Sequence, residues 1–381
     1  FTDMASEMLY PILPIYLKTI GFSIVLIGVL EGIAEATAGL SKGYFGKRSD
    51  VSGKRVPFVQ LGYALSAVSK PMMALFVFPL WIFFSRTLDR LGKGIRTGAR
   101  DALLSQEASE RDKGKIFGLH RAMDTLGAVI GPALALLYLY FFPEDYRTLF
   151  FIAFVPGLLA VLTSSLLKDR KKMLSGKEKG TVPFFSFLNY WKQSPSIYRK
   201  LVFGLLAFAL INSSDVFLLL KAKEAGLDDT AVVGVYIFYN LVYAAFSFPV
   251  GAMADKIGLR SMFIIGMGLF AIVYFGMGLS TDPYIVAAMF FLYGIYAAAN
   301  EGISKAWIST ISEKKDTATA IGTYAGFQSI CTMVASASAG LIWFQFGASM
   351  AFMFTGAITL VIIGYFLVFV VPGQRKIQIG Q

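Results

Sequence analysis

The sequence has one cysteine (Cys331) and one histidine (His120) in 381 residues. A single cysteine excludes a disulfide within the chain and a zinc site built on cysteines. No GxxxxGK[ST] loop occurs, so ATP hydrolysis on such a loop is not written in it. No HExxH pair occurs either. Strict apolar/polar alternation is missing, which argues against an outer-membrane barrel. Charge is scarce: only 15% of residues are Asp, Glu, Lys or Arg. A soluble protein of this size carries more, and sets its apolar residues in periodic stripes rather than unbroken runs.

Apolar sequence is what remains. It makes up 56% of the chain, and the mean hydropathy is +0.63. Runs of about 18–25 apolar residues recur, long enough to cross hydrocarbon as helices. Twelve helices are expected: Phe1–Leu17, Ile24–Phe45, Val56–Phe78, Leu80–Leu104, Lys115–Phe141, Tyr146–Leu167, Lys200–Leu220, Thr230–Ala254, Ser261–Leu279, Tyr284–Thr310, Thr317–Phe344 and Ala348–Val371. The fold class is therefore an all-α polytopic membrane protein. Phe1 falls part-way into the first helix, so the natural N-terminus is expected upstream; no signal peptide can be read.

The formal charge of +11 first suggests nucleic acid. Its distribution says otherwise. Of the Lys and Arg residues, about 22 fall in alternate connections, about 4 in the opposite ones and about 9 inside helices. The richest connection, Leu167–Lys200, contains "KDRKKM". That bias puts these connections and both termini in the cytoplasm, in what reads as a bacterial inner membrane. Anionic headgroups are the expected surface partner, and nucleic acid is not expected. The long connection divides the chain into a six-helix bundle (1–167), a basic cytoplasmic linker (168–199) and a second six-helix bundle with a short cytoplasmic tail (200–381). A monomer is expected.

The halves look repeated. "GKRSDVSGKR" (Gly46–Arg55) lies between helices two and three, and "GAMADKIGLR" (Gly251–Arg260) between helices eight and nine. "GKGIRT" in helix four has a weaker echo in "NEGISK" of helix ten. The echoes lie about 205 residues apart, as a six-plus-six duplication requires. The spacing G-x-x-x-D-x-x-G-[KR]-[RK] resembles the signature loop of the major facilitator superfamily. Here it is Gly46, Asp50, Gly53, Lys54 and Arg55, then Gly251, Asp255, Gly258 and Arg260, with one basic residue missing from the second copy. "GAVIGPALA" in helix five (Gly127, Gly131, Pro132) is similar to the motif of the proton-coupled drug-efflux branch, without its second glycine after Gly-Pro.

The resemblance implies two pseudo-symmetric six-helix halves with helices one, four, seven and ten lining a cavity. On this chain that set holds Asp3, Glu7, Tyr10, Arg86, Asp89, Arg90, Asn212, Asp215, Asn300, Glu301 and Lys305. Tyr236, Phe238, Tyr239 and Tyr243 offer aromatic walls, or ordinary packing. In the signature loop the glycines permit a tight turn, and Asp50 can accept from the N-terminal amides of a neighbouring helix. The loop is then a latch; the alternative is a basic loop that only sets topology. Gly127, Gly131 and Pro132 let helix five approach a partner closely.

Charges inside spans cost several kcal/mol unless paired or watered, ~2.5 to above 10 by different measures. Asp3/Glu7 and Glu31/Glu35 are each spaced i,i+4, hence on one helix face. Carboxylates crowded in low dielectric cannot all ionise cheaply, which suits a proton carrier; Asp89 joins this group. The alternative is that Arg86 and Arg90 neutralise them as structural ion pairs. Glu7, Glu31, Glu35, Arg86 and Arg90 are expected in one layer, within ~10–15 Å of the membrane middle. His120, beside Arg121 and Asp124, is either structural or a proton relay.

These residues imply a secondary transporter working by alternating access, with H⁺ as coupling ion, no other cofactor, no metal, and a small organic compound exported. Uptake or exchange of an organic anion on Arg86 and Arg90 is the second reading. A membrane enzyme lacks its catalytic constellation, and a receptor on the same fold would lack excess buried acids.

Overall fold

The structure, a computed structural model, describes residues 1–10, 12–109, 111–169 and 183–370. Its helices are α1 (Thr2–Leu9), α2 (Leu13–Thr19), α3 (Ile24–Ser52), α4 (Val56–Leu75), α5 (Pro79–Glu107), α6 (Lys113–Phe141), α7 (Tyr146–Ser164), α8 (Asn189–Gln193), α9 (Ser196–Ala209), α10 (Val216–Glu224), α11 (Asp229–Ile257), α12 (Leu259–Leu279), α13 (Pro283–Ile311), α14 (Thr317–Phe346) and α15 (Ala348–Phe369). No strand occurs among the described residues.

Twelve transmembrane segments result, because α1 with α2 and α9 with α10 are single segments broken in the middle. The sequence led us to expect both as continuous helices. Each break has a local cause. At the first, Pro14 opens α2 within its first two positions; proline has no backbone N–H to donate. The second holds Asn212, Ser213, Ser214 and Asp215, whose side chains compete for backbone partners. There the Ser214 amide donates to Ser336 Oγ on α14 (3.1 Å) instead of to its own helix. The breaks occupy equivalent places in the two halves.

Seven helices, α6, α7 and α11 to α15, are long and apolar enough by themselves to cross a membrane. The other spans are broken or carry charge inward. Large apolar side chains cover the outside: Leu80 and Tyr140 are 80% exposed and Phe344 88%. A belt of this kind belongs in lipid. The connection between the halves carries a 3₁₀ turn, Phe184–Leu188, and α8. Phe187 packs its ring on Gly43, and Lys47 Nζ donates to Ser186 O (3.0 Å). The basic run 170–173 and the tail 371–381 lie outside the described residues.

Each half has its own apolar core. One gathers Met8, Leu17, Leu30, Ile82, Leu149 and Phe150. The other gathers Leu205, Phe263, Phe270, Tyr274, Phe290 and Phe366, and takes Phe117 from the first half. Between the halves the packing is of another kind: α3 lies along α14, and α6 along α11. Glycines bring the backbones together. A Cβ on Gly46 would stand 2.5 Å from Ala318 O, one on Gly118 2.3 Å from Ser247 O, and one on Gly251 2.3 Å from Gly114 O. All these contacts lie towards the end of the bundle that carries the signature loops, called the loop end below.

A side chain at these glycines has no room, and overpacking costs about 1–3 kcal/mol. Gly118→Val and Gly251→Val are expected to keep full helicity by circular dichroism while separating the halves at the loop end. Spin labels on the two halves there should report a longer distance than in wild type; an unchanged distance would contradict the packing described.

Candidate functional site

Three charged layers lie along the axis between the halves. At the loop end, each signature loop reaches across to the other half. Asp50 sits in the last turn of α3. Its Oδ2 accepts from the amide (2.7 Å) and hydroxyl (2.9 Å) of Thr319, in the first turn of α14. Asp255 sits in the last turn of α11, and its two oxygens accept from the amides of Gly114 and Lys115 in the first turn of α6, both at 2.7 Å. Each carboxylate thus fills the orphan donors, and meets the positive dipole end, of a helix in the opposite half. Arg55 pairs with Asp50 (2.9 Å) and donates to Ala102 O and Lys314 O. Its own amide and that of Val56 donate to Asp169 Oδ1. Gly53 (φ 65°) and Gly258 (φ 95°) take left-handed turns that other residues adopt at a cost. Lys54 is exposed. Arg260 departs from the expectation. It donates to Phe366 O and Leu367 O, whose carbonyls lie at the end of α15, rather than to Asp255, the counterpart of Asp50.

The second layer also ties the halves together. Lys305 on α13 pairs with Asp101 on α5 (2.9 Å), and Glu301 on α13 pairs with Arg121 on α6. Arg121 also donates to the Tyr243 hydroxyl. Arg100 bonds Asp101 (3.1 Å) and reaches Asp124 (3.9 Å), and His120 lies 3.5 Å from Asp124. Glu301 and Lys305, expected as cavity lining, therefore belong to a closure between the loop end and the small cavity lined by Glu7, Tyr10, Arg86 and Arg90, called the chamber below.

The third layer lies within the first half. Arg86 grips Glu31 with two bonds (2.7 and 2.8 Å) and also reaches Asp89 (3.3 Å). Arg90 pairs with Glu35 (3.0 Å). Lys70, 1% exposed on α4, pairs with Asp89 (3.3 Å) and donates to Ser66 O and Ser6 Oγ. Arg96 donates to Ser66 Oγ and stacks on Tyr63. The expected layer of Glu31, Glu35, Arg86 and Arg90 is present, and Glu7 lines the same small cavity, which has room for about one water. The supposed surplus of acids over bases is corrected: Lys70, Lys93 and Arg96 were not counted. The signal was available for Lys70, a lone cation in an apolar run. Glu7 and Asp3 have no ion-pair or hydrogen-bond partner among the described residues; Lys93 and Arg90 act on Glu7 from a greater distance.

Opposite lies Asp215, at the break between α9 and α10. Its oxygens accept from the hydroxyls of Tyr239 (2.5 Å) and Tyr293 (2.6 Å), and no cation is paired with it. Tyr236, Tyr239, Tyr293 and Tyr296 form a chain of rings with centroids 5.2–5.5 Å apart. Asn212 donates to the Tyr296 hydroxyl (2.9 Å). Tyr10, 53% exposed, lines the small cavity across from them. Two expected cavity residues point elsewhere. Asn300 is turned onto α12, where Gly266 leaves space for its amide, and Phe238 stacks on Phe291 at the exposed surface. Gly127 and Gly131 carry α6 against Met4 and Met8 of α1, inside one half. Pro132 lies within α6.

Asp89 is the one carboxylate paired with buried Lys70 among the described residues, whereas Arg86 keeps Glu31, so removing that charge strands Lys70. Asp89→Asn is expected to cost about 3–5 kcal/mol of stability. Lys70→Met together with Asp89→Leu should cost far less than the two single changes summed. Denaturation in detergent micelles measures both.

A family model described as Major Facilitator Superfamily matches residues 1–240 and 220–381. An uncharacterised MFS-type transporter of Methanocaldococcus jannaschii is 32% identical over 374 residues, 97% of this chain and 92% of that one. The quinolone resistance protein NorA of Staphylococcus aureus is 27% identical over 212 residues, 54% of this chain and 53% of that one. Among solved structures, the human organic anion transporter MFSD10 superposes with a TM-score of 0.81 at 16% identity, over 96% of each chain. The chain belongs to the Major Facilitator Superfamily: it is a membrane transporter, not an enzyme, with the twelve-helix fold of that family.

Proposed function

We propose that this transporter is a proton-coupled exporter of small organic compounds that works by alternating access as a monomer. The observation that carries this reading is the pair of carboxylates without a cation, Glu7 and Asp215, beside the breaks in the first and seventh segments. A carboxylate so placed can exchange a proton with the chamber without first breaking an ion pair. Glu31, Glu35 and Asp89 are each held by arginine or lysine and serve the framework first. Similarity to a quinolone resistance protein supports export, and the tyrosine wall suits aromatic compounds. The excess of Lys and Arg in the loop-end connections supports a cytoplasmic loop end. With both closures engaged there, the chamber is shut off from the cytoplasm.

The second reading, an organic anion as substrate, loses its first anchor because Arg86 and Arg90 are engaged by Glu31 and Glu35. One observation still favours it: among the described residues Lys42 and Lys93 face this region with no carboxylate within pairing distance. Lys42 donates only to Ser329 Oγ (3.2 Å).

Proton coupling requires that proton affinity change with conformation, since only then can a proton gradient drive the cycle. In proteoliposomes with an imposed pH gradient, Glu7→Gln and Asp215→Asn are expected to lose at least about tenfold of gradient-driven quinolone transport while retaining exchange at equilibrium. If both variants still concentrate the quinolone as wild type does, these acids are not the proton carriers. If wild type shows no gradient dependence at all, the coupling ion is not H⁺.

A further inference from the structure

Helices in this fold begin at one end or the other, and their caps divide by end. Four that begin at the far end cap themselves. Ser23 accepts from Leu26 N, Asp145 from Thr148 N, Asp228 from Ala231 N, and Asp282 from Tyr284 N and Ile285 N. The two that begin at the loop end beside the interface, α6 and α14, do not. Their N-cap residues are nonetheless Asp112 and Asp316, as good a capping residue as any. Neither side chain caps its helix. Asp112 instead accepts from the Ser109 hydroxyl, and the Asp316 side chain has no hydrogen-bond or ion-pair partner among the described residues. Of the amides they would serve, those of Gly114 and Lys115 are taken by Asp255 and that of Thr319 by Asp50, both from the opposite half.

The backbone differs as well. Of the four self-capping residues, Ser23, Asp228 and Asp282 cap from extended conformations, with ψ of 154°, 169° and 123°, and Asp145 with ψ 60°. Asp112 and Asp316 share a different one, with φ −120° and −113° and ψ 15° and 9°. Asp112 also lies within Coulombic reach of Asp255, so the two carboxylates compete for one helix end. The arrangement is repeated in both halves, about 205 residues apart for each member of the set.

We propose that Asp112 and Asp316 are standby caps. When the loop end opens, Asp255 and Asp50 withdraw from α6 and α14. Asp112 and Asp316 then rotate about ψ into the extended conformation and accept the freed amides. Each helix N-terminus exchanges one carboxylate for another rather than losing its cap, so the latched and unlatched states stay close in free energy. These are positioning residues for the transport cycle; they touch no substrate. The proposal rests on the alternating-access reading for its use, but not for its test.

The test is a pair of double-mutant cycles on the full chain in detergent, read by unfolding midpoint. In the wild-type background Asp112→Ala and Asp316→Ala should shift the midpoint little, since neither side chain caps there. In Asp255→Ala, Asp112→Ala should lower it by a further few degrees, and Asp316→Ala should do the same in Asp50→Ala, the loss of a working N-cap. Additive shifts in both cycles overturn the proposal. Should the Asp255 and Asp50 variants fail to fold, amide exchange at Gly114, Lys115, Ala318 and Thr319 provides the second measurement. It should run faster in Asp112→Ala and Asp316→Ala than in wild type, and equal rates overturn the proposal. A coupled cycle alongside absent gradient-driven transport would leave the standby caps standing and remove the transport reading. Coupled cycles with intact transport support both.

Discussion

A carboxylate of one half capping a helix of the other is the interaction on which the arrangement of the halves depends. A buried helix N-terminus must have its first amides satisfied. In α6 and α14 that obligation is met across the interface, by Asp255 and Asp50. A net contribution of about 1.5–3 kcal/mol is typical of a hydrogen bond to a charged group. Two such sites, the Lys305–Asp101 and Arg121–Glu301 pairs, and glycine-mediated backbone contact make up the loop-end closure. All of these are short-range and directional, and a small displacement ends them together. An apolar core across the same interface would instead yield gradually and hold the halves as one body. The two cores stay almost separate, with Phe117 as the crossing residue. The halves are therefore built to move as bodies and to be fastened by polar contacts.

The charge inside the first half has a different character. Lys70, Asp89, Arg86, Glu31, Arg90 and Glu35 form one connected set of ion pairs on α3, α4 and α5. Three helices that carry charge at the same depth are fixed in register, because any slip leaves a charge unpaired in low dielectric. Rigidity on that wall makes the exceptions informative. Glu7 on α1 stands outside the set, next to the break before α2. Asp215 stands at the equivalent break in the other half, held by phenols instead of cations. The broken segments and the acids that have no cation partner among the described residues coincide.

Much of this was legible in the sequence, and the reasons are physical. Spans are readable because lipid demands unbroken apolar helices, and the duplication because the turn between two helices requires glycine at Gly53 and Gly258. The acceptance of helix amides by Asp50 followed from the helix dipole, although the recipient Thr319 could not be named without the packing of the halves. Three features were hidden. The breaks before Leu13 and at Asn212–Asp215 are each flanked by apolar runs, and hydropathy averaged over a whole span does not see a change of backbone partner. Lys70 is visible in the sequence as a lone cation in an apolar run, but its pairing with Asp89 depends on how α4 packs on α5. Arg260 matched a motif by spacing, but the motif omits what decides its partner, namely which helix end lies nearest.

Asp112 and Asp316 show why a local signal can be correct and still not describe the structure. Each is of a residue type that favours the N-cap, and each occupies the N-cap position of its helix. The capping bond is absent because a carboxylate from the other half holds the same amides. Local preference and tertiary contact thus compete for one set of donors, and here the tertiary contact wins at both helices. In a protein with a single structure such a conflict would be a cost without return. In the proposed cycle, which leaves the latched state, the losing cap is the partner the helix takes when the winner departs. Conflict between local and global preference would then mark the parts of the chain with two arrangements, and this chain places such conflict at the signature loops and the starts of α6 and α14.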